Sequence, residues 1–283
     1  MKIGVSSYSF GSYIKNEKCD YLKICDLAKE MGFDGIEFIP LEEKSYGITE
    51  DPMACAAEIR AHCDKIGLEI CTYTVGADIF KDREAAVESV CRHIDVAEIL
   101  GAPVVRFDVC YSLPKEHPVS YRTAIEVMVP YIRQIADYAE AKGIRVCTEN
   151  HGYIFQAPER VEELILSVNH KNYGWLCDMG NFMCSGDDPA RSVAIAAPYA
   201  FHAHAKDFIF KSGDGDKPEG FLRTSDGNYI RGTVIGHGVV PVKRCVQILK
   251  NSGYNAWLSI EFEGWEECTK AIKEGLRYLK TLI

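Results

Sequence analysis

No stretch of this 283-residue chain stays apolar for the ~20 residues that a bilayer-crossing helix needs, so no membrane association is expected. The opening Met1-Lys2-Ile3-Gly4-Val5 runs directly into a short apolar segment. It lacks the charged-then-apolar layout of a secretory signal, and a cytoplasmic protein is expected. Blocks of like charge are also missing: 32 Lys+Arg against 41 Asp+Glu leave a formal charge of −9. A nucleic-acid binder uses clustered cations to displace counterions from phosphates, so that partner is not expected either. No Cys-x-x-Cys pair and no zinc-finger spacing occurs among the 12 cysteines. Several of them (Cys71, Cys147, Cys177) sit inside apolar runs, which reads as reduced, small core residues. No Gly-x-Gly-x-x-Gly turn follows an early strand, which removes the dinucleotide-binding open sheet.

What the chain does have is alternation. Short β-rich apolar runs are followed by longer amphipathic stretches, about eight times over. The runs are Lys2–Ser6, Gly35–Ile39, Leu68–Val75, Pro103–Val109, Ile144–Asn150, Tyr173–Asp178, Ala200–Lys206 and Ala256–Phe262. Helical patterns lie between them: one carries Leu22, Ile24, Cys25, Leu27 and Met31 and stops at Gly32, and another carries Ala56, Ile59, His62 and Cys63 before Gly67. Further helices are expected at about Arg83–Leu100, Tyr121–Ala141, Pro158–Val168, Ala190–Ala197 and Glu266–Leu279. Near-continuous apolar strands mark a parallel sheet covered by helices, and eight of them argue for a closed (β/α)8 barrel. No domain boundary is visible, so residues 1–283 are expected to form a single α/β barrel domain.

The one long irregular segment is Asp207–Pro241, after the seventh run. It holds the turn sequences Ser212-Gly-Asp-Gly-Asp and Ser225-Asp-Gly-Asn, and Thr224–Arg231 reads as a small hairpin around Asp226-Gly227. A loop or hairpin insertion of this length, on the C-terminal face, is expected to serve binding.

In such a barrel the chemistry sits where strands end. The polar residues at those ends are Glu37, Arg106, Asp108, Glu149-Asn150-His151, Asp178, Asn181, His202, His204, Lys206, Asp207, Glu261 and Glu263. The fifth to eighth strands are consecutive around the barrel, and each offers a carboxylate or an imidazole. Two Glu, one Asp and one His make an oxygen-rich set suited to Mn²⁺ or Mg²⁺, with Zn²⁺ or Co²⁺ also acceptable. Crowded carboxylates without a cation would repel one another, and one divalent ion removes that penalty.

The stretches Thr148-Glu-Asn-His-Gly152, Cys177-Asp-Met-Gly-Asn181, His202-Ala-His-Ala-Lys-Asp207 and Leu258-Ser-Ile-Glu-Phe-Glu263 resemble the xylose isomerase-like TIM barrel superfamily. The closest likeness is to its sugar (phosphate) isomerase/epimerase branch, and Lys2–Phe10 and Gly32–Glu37 share it. The resemblance spans the whole chain. It implies Glu149, Asp178, His204 and Glu261 as metal ligands, with His204 chosen over His202 although the two share a strand face. It also implies Glu149 and Glu261 as the catalytic acid/base pair of a manganese-type carbohydrate isomerase or epimerase. One carboxylate removes a proton α to a carbonyl and the other returns it, while the ion stabilises the enediolate charge.

Around this centre, Glu37, Arg106, His151, Asn181, Lys206 and Trp265 are candidate substrate-binding residues. Glu37 and Arg106 would point into the mouth or pair with each other. His151 would orient Glu149 or lie on the surface, Lys206 would act as an electrophile or pair with Asp207, and Trp265 would stack on a sugar face or serve as a core or rim aromatic. Glu263 is expected to face the helices or to join a polar network, and His62, His93, His117 and His170 are expected to be structural. Asn181 stands where several ketose epimerases of the family have a histidine, and Lys206 stands in for a common arginine. Both departures weaken ketose 3-epimerisation and leave room for a dehydratase or lyase acting on an inosose-like cyclitol or keto-sugar. After the eighth strand, Gly264-Trp265-Glu266-Glu267 would repel a phosphate, so a free sugar, sugar acid or cyclitol is the expected small-molecule partner. Repair endonucleases of this barrel need extra histidines at the third and fourth strand ends, where this chain has Thr74-Val75 and Arg106–Asp108. Barrels of this type often pair, which leaves a homo-oligomer open.

Overall fold

The computed structural model describes residues 1–41, 51–116 and 119–283. Eight parallel strands close into a barrel: β1 (Lys2–Ser6), β2 (Gly35–Phe38), β3 (Glu69–Val75), β4 (Val104–Phe107), β5 (Arg145–Glu149), β6 (Tyr173–Asp178), β7 (Ala200–Ala205) and β11 (Trp257–Ile260). The barrel closes where β1 pairs with β11, Lys2 opposite Trp257 and Val5 opposite Ile260. The expected (β/α)8 architecture is therefore present, and β1 and β6 coincide with their apolar runs residue for residue.

Helices α2 (Tyr21–Met31), α3 (Pro52–Ile66), α5 (Glu84–Leu100), α6 (Tyr121–Ala141), α7 (Pro158–Val168), α8 (Pro189–Ala196), α9 (Val242–Asn251) and α10 (Cys268–Lys280) surround the wall, with short α1 (Gly11–Glu17) and α4 (Ile79–Asp82). Their ends follow local chemistry. Asp20 caps α2 by accepting from the Lys23 amide, and Gly32, at φ +89°, ends it in the left-handed region that glycine enters freely. On α2 the buried Tyr21, Ile24, Cys25 and Ala28 recur at helical spacing and face the barrel. The larger core lies between wall and helices; inside the barrel a smaller apolar layer of Val104, Cys147 and Leu176 packs with Phe201. All twelve cysteines are free thiols. Among the described residues no helix is long and apolar enough to cross a membrane.

The 207–241 segment is more regular than its sequence suggests. β8 (Asp207–Lys211), β9 (Leu222–Arg223) and β10 (Tyr229–Thr233) form an antiparallel three-stranded sheet in the order β8-β10-β9. The expected hairpin is its β9–β10 half, with Tyr229 opposite Arg223. The missed half is β8, which pairs with β10 across a 17-residue connection. Asp207 fastens this sheet to the barrel. Its carboxylate accepts backbone N–H bonds from Phe208, Gly236, Gly238 and Val240 at 2.8–3.0 Å. Lys206 and Asp207 therefore do not pair. His62 bonds Asp26 at 2.7 Å, His170 bonds Asp137 at 3.1 Å, and His93 lies buried in α5, as structural histidines would. His117 lies outside the described residues.

Candidate metal centre

Alternation along each strand sends every second side chain into the barrel. On β5 to β7 and just past β11 this puts Glu149, Asp178, His204 and Glu261 in one layer at the C-terminal end. Register keeps them level: Asp178 lies opposite His204, Ser259 opposite His204, and the Glu261 amide bonds the Ala205 carbonyl at 3.1 Å. One donor atom from each of the four lies within 4.8 Å of the others. His204 Nδ1 is 3.6 Å from Glu261 Oε2, 3.7 Å from Asp178 Oδ2 and 3.9 Å from Glu149 Oε1.

Each donor is held from behind. Asp178 spends Oδ1 on the amides of Gly180 and Asn181 (2.8 and 2.9 Å), and Oδ2 has no hydrogen-bond partner. The Asn150 side chain bridges the Asp178 backbone at both its N–H and C=O and also accepts from Trp175 Nε1. Glu149 Oε2 accepts from Arg106 Nε at 2.7 Å and from Arg106 Nη2, while Oε1 accepts from Asn181 Nδ2 at 2.8 Å. His204 Nε2 bonds Glu37 Oε2 at 2.8 Å, and its Nδ1 is left without a partner. Glu261 Oε2 is 2.5 Å from Lys206 Nζ.

The donor set fits a divalent cation. Two donors each about 2.0–2.2 Å from one ion lie no more than ~4.4 Å apart, and the three His204 separations fall inside that reach. Asp178 Oδ2 and His204 Nδ1 are both buried without a hydrogen bond and both face the other donors, with Lys206 Nζ 3.4 Å from Asp178 Oδ2, which is what ligands aimed at a shared cation look like. Charge in the centre is already uneven. Burial raises the Glu149 carboxyl, only partly offset by Arg106, and Glu261 across the site raises it further. Burial also opposes ionisation of Glu261, but Lys206 and His204 outweigh it and hold that carboxyl well below the ordinary range. Lys206, though buried, is driven well up by Asp178 and Glu261.

The remaining sequence candidates take four different places. Arg106, Asn181 and Lys206 line the centre and tether Glu149 and Glu261 as just described. Glu37 does not pair with Arg106. It is 0% exposed and lies beneath the donor layer against His204 and His202, where the histidines outweigh its burial and bring its pKa to about 2. An irregularity in the β2–β3 pairing between Ile36 and Glu37 accompanies this placement. His151 is exposed at the surface, one of its two expected places, and does not bond Glu149; it pairs with Asp108 Oδ1 at 3.1 Å, and Asp108 in turn accepts from Arg106 and Tyr111. Trp265 is 61% exposed on the rim, with the Arg231 guanidinium 4.8 Å from its ring centroid.

Asp108 and Glu263, named at the strand ends but not among the candidate substrate-binding residues, also lie beside the centre. Asp108 joins Arg106, His151 and Tyr111 in one network. Glu263 Oε1 is 3.7 Å from Lys206 Nζ, so of its two expected places it takes the polar network beside the site; Tyr8 lies next to it. The signal for both was their place at a strand end, two residues from a site residue (Arg106 and Glu261).

Comparison with known proteins agrees with the fold. The Rhizobium meliloti rhizopine catabolism protein MocC is 29% identical over 222 residues, 74% of this chain and 67% of that one. The inosose dehydratase of Serratia proteamaculans is 24% identical over 73% of this chain and 74% of its own. Among solved structures, the IOLI protein with a bound zinc atom superimposes with a TM-score of 0.76 at 18% identity, covering 100% of this chain and 98% of that one. D-psicose 3-epimerase from Clostridium cellulolyticum does so with 0.75 at 16% identity, covering 100% and 99%. The profile of the xylose isomerase-like TIM barrel family matches residues 25–282, and with the closed barrel in place this chain belongs to that family.

Proposed function

We propose that this chain is a divalent-metal-dependent enzyme that moves a proton α to the carbonyl of a small, unphosphorylated sugar, sugar acid or cyclitol, isomerising or epimerising it. The observation that carries the reading is the buried Glu149–Asp178–His204–Glu261 quartet, whose two glutamates are tethered by different cations. Glu149, Asp178, His204 and Glu261 would hold a divalent ion, which would supply positive charge beside the reacting carbonyl. Glu149, braced by Arg106 and Asn181, is placed to take or return the proton at carbon, and Glu261 is placed to do the converse. When the proton leaves, its electron pair moves into the carbon–carbon bond and the carbonyl oxygen takes up the charge. Return at the former carbonyl carbon, with the neighbouring hydroxyl's proton passing to the charged oxygen, isomerises, and return to the original carbon on its opposite face epimerises.

Phosphate recognition finds no support at the last strand's loop. Glu267 already occupies the amides of Thr269 and Lys270 at the start of α10, and Glu266 accepts from Thr233. Manganese or magnesium suits the oxygen-rich set best.

Lys206 supports a second reading. Its ammonium lies against Glu261, and Asn181 Oδ1 is 3.1 Å away. There it can give a proton to a β-hydroxyl that departs as water when the electron pair expels it, which is the dehydration that the name inosose dehydratase describes for a relative. Elemental analysis of the purified protein, then screening of free sugars, cyclitols and keto-glycosides by mass, tests both. Isomerisation keeps the mass, dehydration loses one water, and a protein with no bound metal and no turnover in the presence of Mn²⁺, Mg²⁺, Zn²⁺ or Co²⁺ rejects both.

A further inference from the structure

His202 and His204 lie two residues apart on β7 and both point into the barrel, yet their ring nitrogens meet different surroundings. His202 is closed off: Nδ1 is bonded to Thr72 Oγ1 at 2.7 Å and Nε2 to Ser259 Oγ at 2.8 Å. His204 has Nε2 on Glu37 Oε2 at 2.8 Å and keeps Nδ1 free of hydrogen bonds, facing Glu149, Asp178 and Glu261. Glu37 is wholly buried beneath that layer, with the same oxygen 3.3 Å from His202 Nε2. An ionised carboxylate accepts and never donates, so the hydrogen of a neutral His204 ring must sit on Nε2. The ring's lone pair then lies on Nδ1, aimed at the three carboxylates.

We infer that Glu37 is the positioning residue that makes His204, through Nδ1, the histidine donor of the metal centre and keeps His202 out of it. This rests on the proposed metal site. Glu37 itself touches neither ion nor substrate; it fixes which nitrogen is presented and strengthens that nitrogen as a donor, as carboxylates behind metal-bound histidines do.

The test is calorimetric titration of the purified chain with Zn²⁺ and with Mg²⁺, for wild type, Glu37→Gln and Glu37→Ala, with a chelator-treated melting curve for each. Glu37→Gln keeps a carbonyl oxygen for the Nε2–H but loses the charge, and Zn²⁺ affinity is expected to fall about 10–100-fold, further in Glu37→Ala. A nitrogen-15 histidine spectrum of the Zn²⁺-loaded wild type, with His204 assigned from His204→Gln, should show coordination at Nδ1 and a solvent-protected Nε2–H. Unchanged affinity in Glu37→Gln overturns the inference while leaving the site standing, even if the metal-free melting temperature falls. Coordination through Nε2 of His204, or through His202, does the same, and that spectrum decides the matter if the variants do not fold. A wild type that binds neither ion at these residues removes the metal site itself.

Discussion

Replacing Arg106 by methionine in the metal-free protein isolates the tether on Glu149. The Arg106 side chain is 11% exposed, and its guanidinium donates through Nε and Nη2 to Glu149 Oε2, and through Nη1 to Asp108 Oδ2 and the Val75 carbonyl, both at 3.2 Å. Removing one partner of a buried ion pair typically costs about 3–5 kcal/mol. The low end applies because neither acid is orphaned. Glu149 keeps Asn181 at 2.8 Å, and Asp108 keeps Tyr111 and His151 at 3.0 and 3.1 Å. A loss of about 3 kcal/mol lowers the melting temperature of a chain this long by roughly 6 °C, readable by calorimetry in chelator.

The loss must also depend on pH in one direction. Burial already raises the Glu149 carboxyl and Arg106 pulls it back, so the variant's folded state holds that proton to higher pH than the wild type does. The unfolded carboxyl titrates near 4.3, so protons bind preferentially to the folded variant and the deficit shrinks as pH falls from neutral toward that value. Saturating Mg²⁺ should narrow the deficit as well, by restoring a cation beside Glu149. A difference below about 1 kcal/mol in chelator, or one that widens on acidification, would refute the reasoning.

Glu149→Gln and Glu261→Gln should each leave a folded protein whose turnover falls about 10²–10⁴-fold, checked on whichever substrate the mass screen identifies; near-normal turnover removes the acid/base pair. Divalent ion at 100 times its Kd should add about 2.7 kcal/mol, or roughly 5 °C of melting temperature, reversed by chelator. Asp207→Asn sets an amide NH₂ against the backbone donors of Gly236 and Gly238, and should cost about 2–4 kcal/mol and speed proteolysis within residues 212–235. Zn²⁺ affinity should stay as it was, and a change of tenfold or more would tie the insertion to the metal centre.

Most of the barrel could be read from the sequence because buried parallel strands leave short apolar runs that Gly-capped helices separate. Tyr173–Asp178 and Tyr121–Ala141 needed nothing beyond that pattern. The β8 strand escaped because its partner is 17 residues away, behind turn-forming Ser, Gly and Asp, so its pairing is not a local property. The quartet was legible because consecutive staves end level, so its members could be named from strand ends and motif order together. Glu37 was misplaced for a different reason: being at the end of a run says nothing about depth, and the β2–β3 irregularity beside it leaves no mark in the sequence. His151 took the surface place that was one of its two expected ones, and its bond to Asp108 was not foreseen because the two follow neighbouring strands 43 residues apart in the chain.

Because β11 bonds to β1 on one side and to β7 on the other, the strand that brings Glu261 is also the one that seals the seam. During vectorial synthesis a nascent chain carries Glu149, Asp178 and His204 long before their fourth companion arrives, while β1 and β7 present unpaired edges. The complete binding centre and the sealed wall therefore arrive together, and a truncation before residue 257 forfeits both.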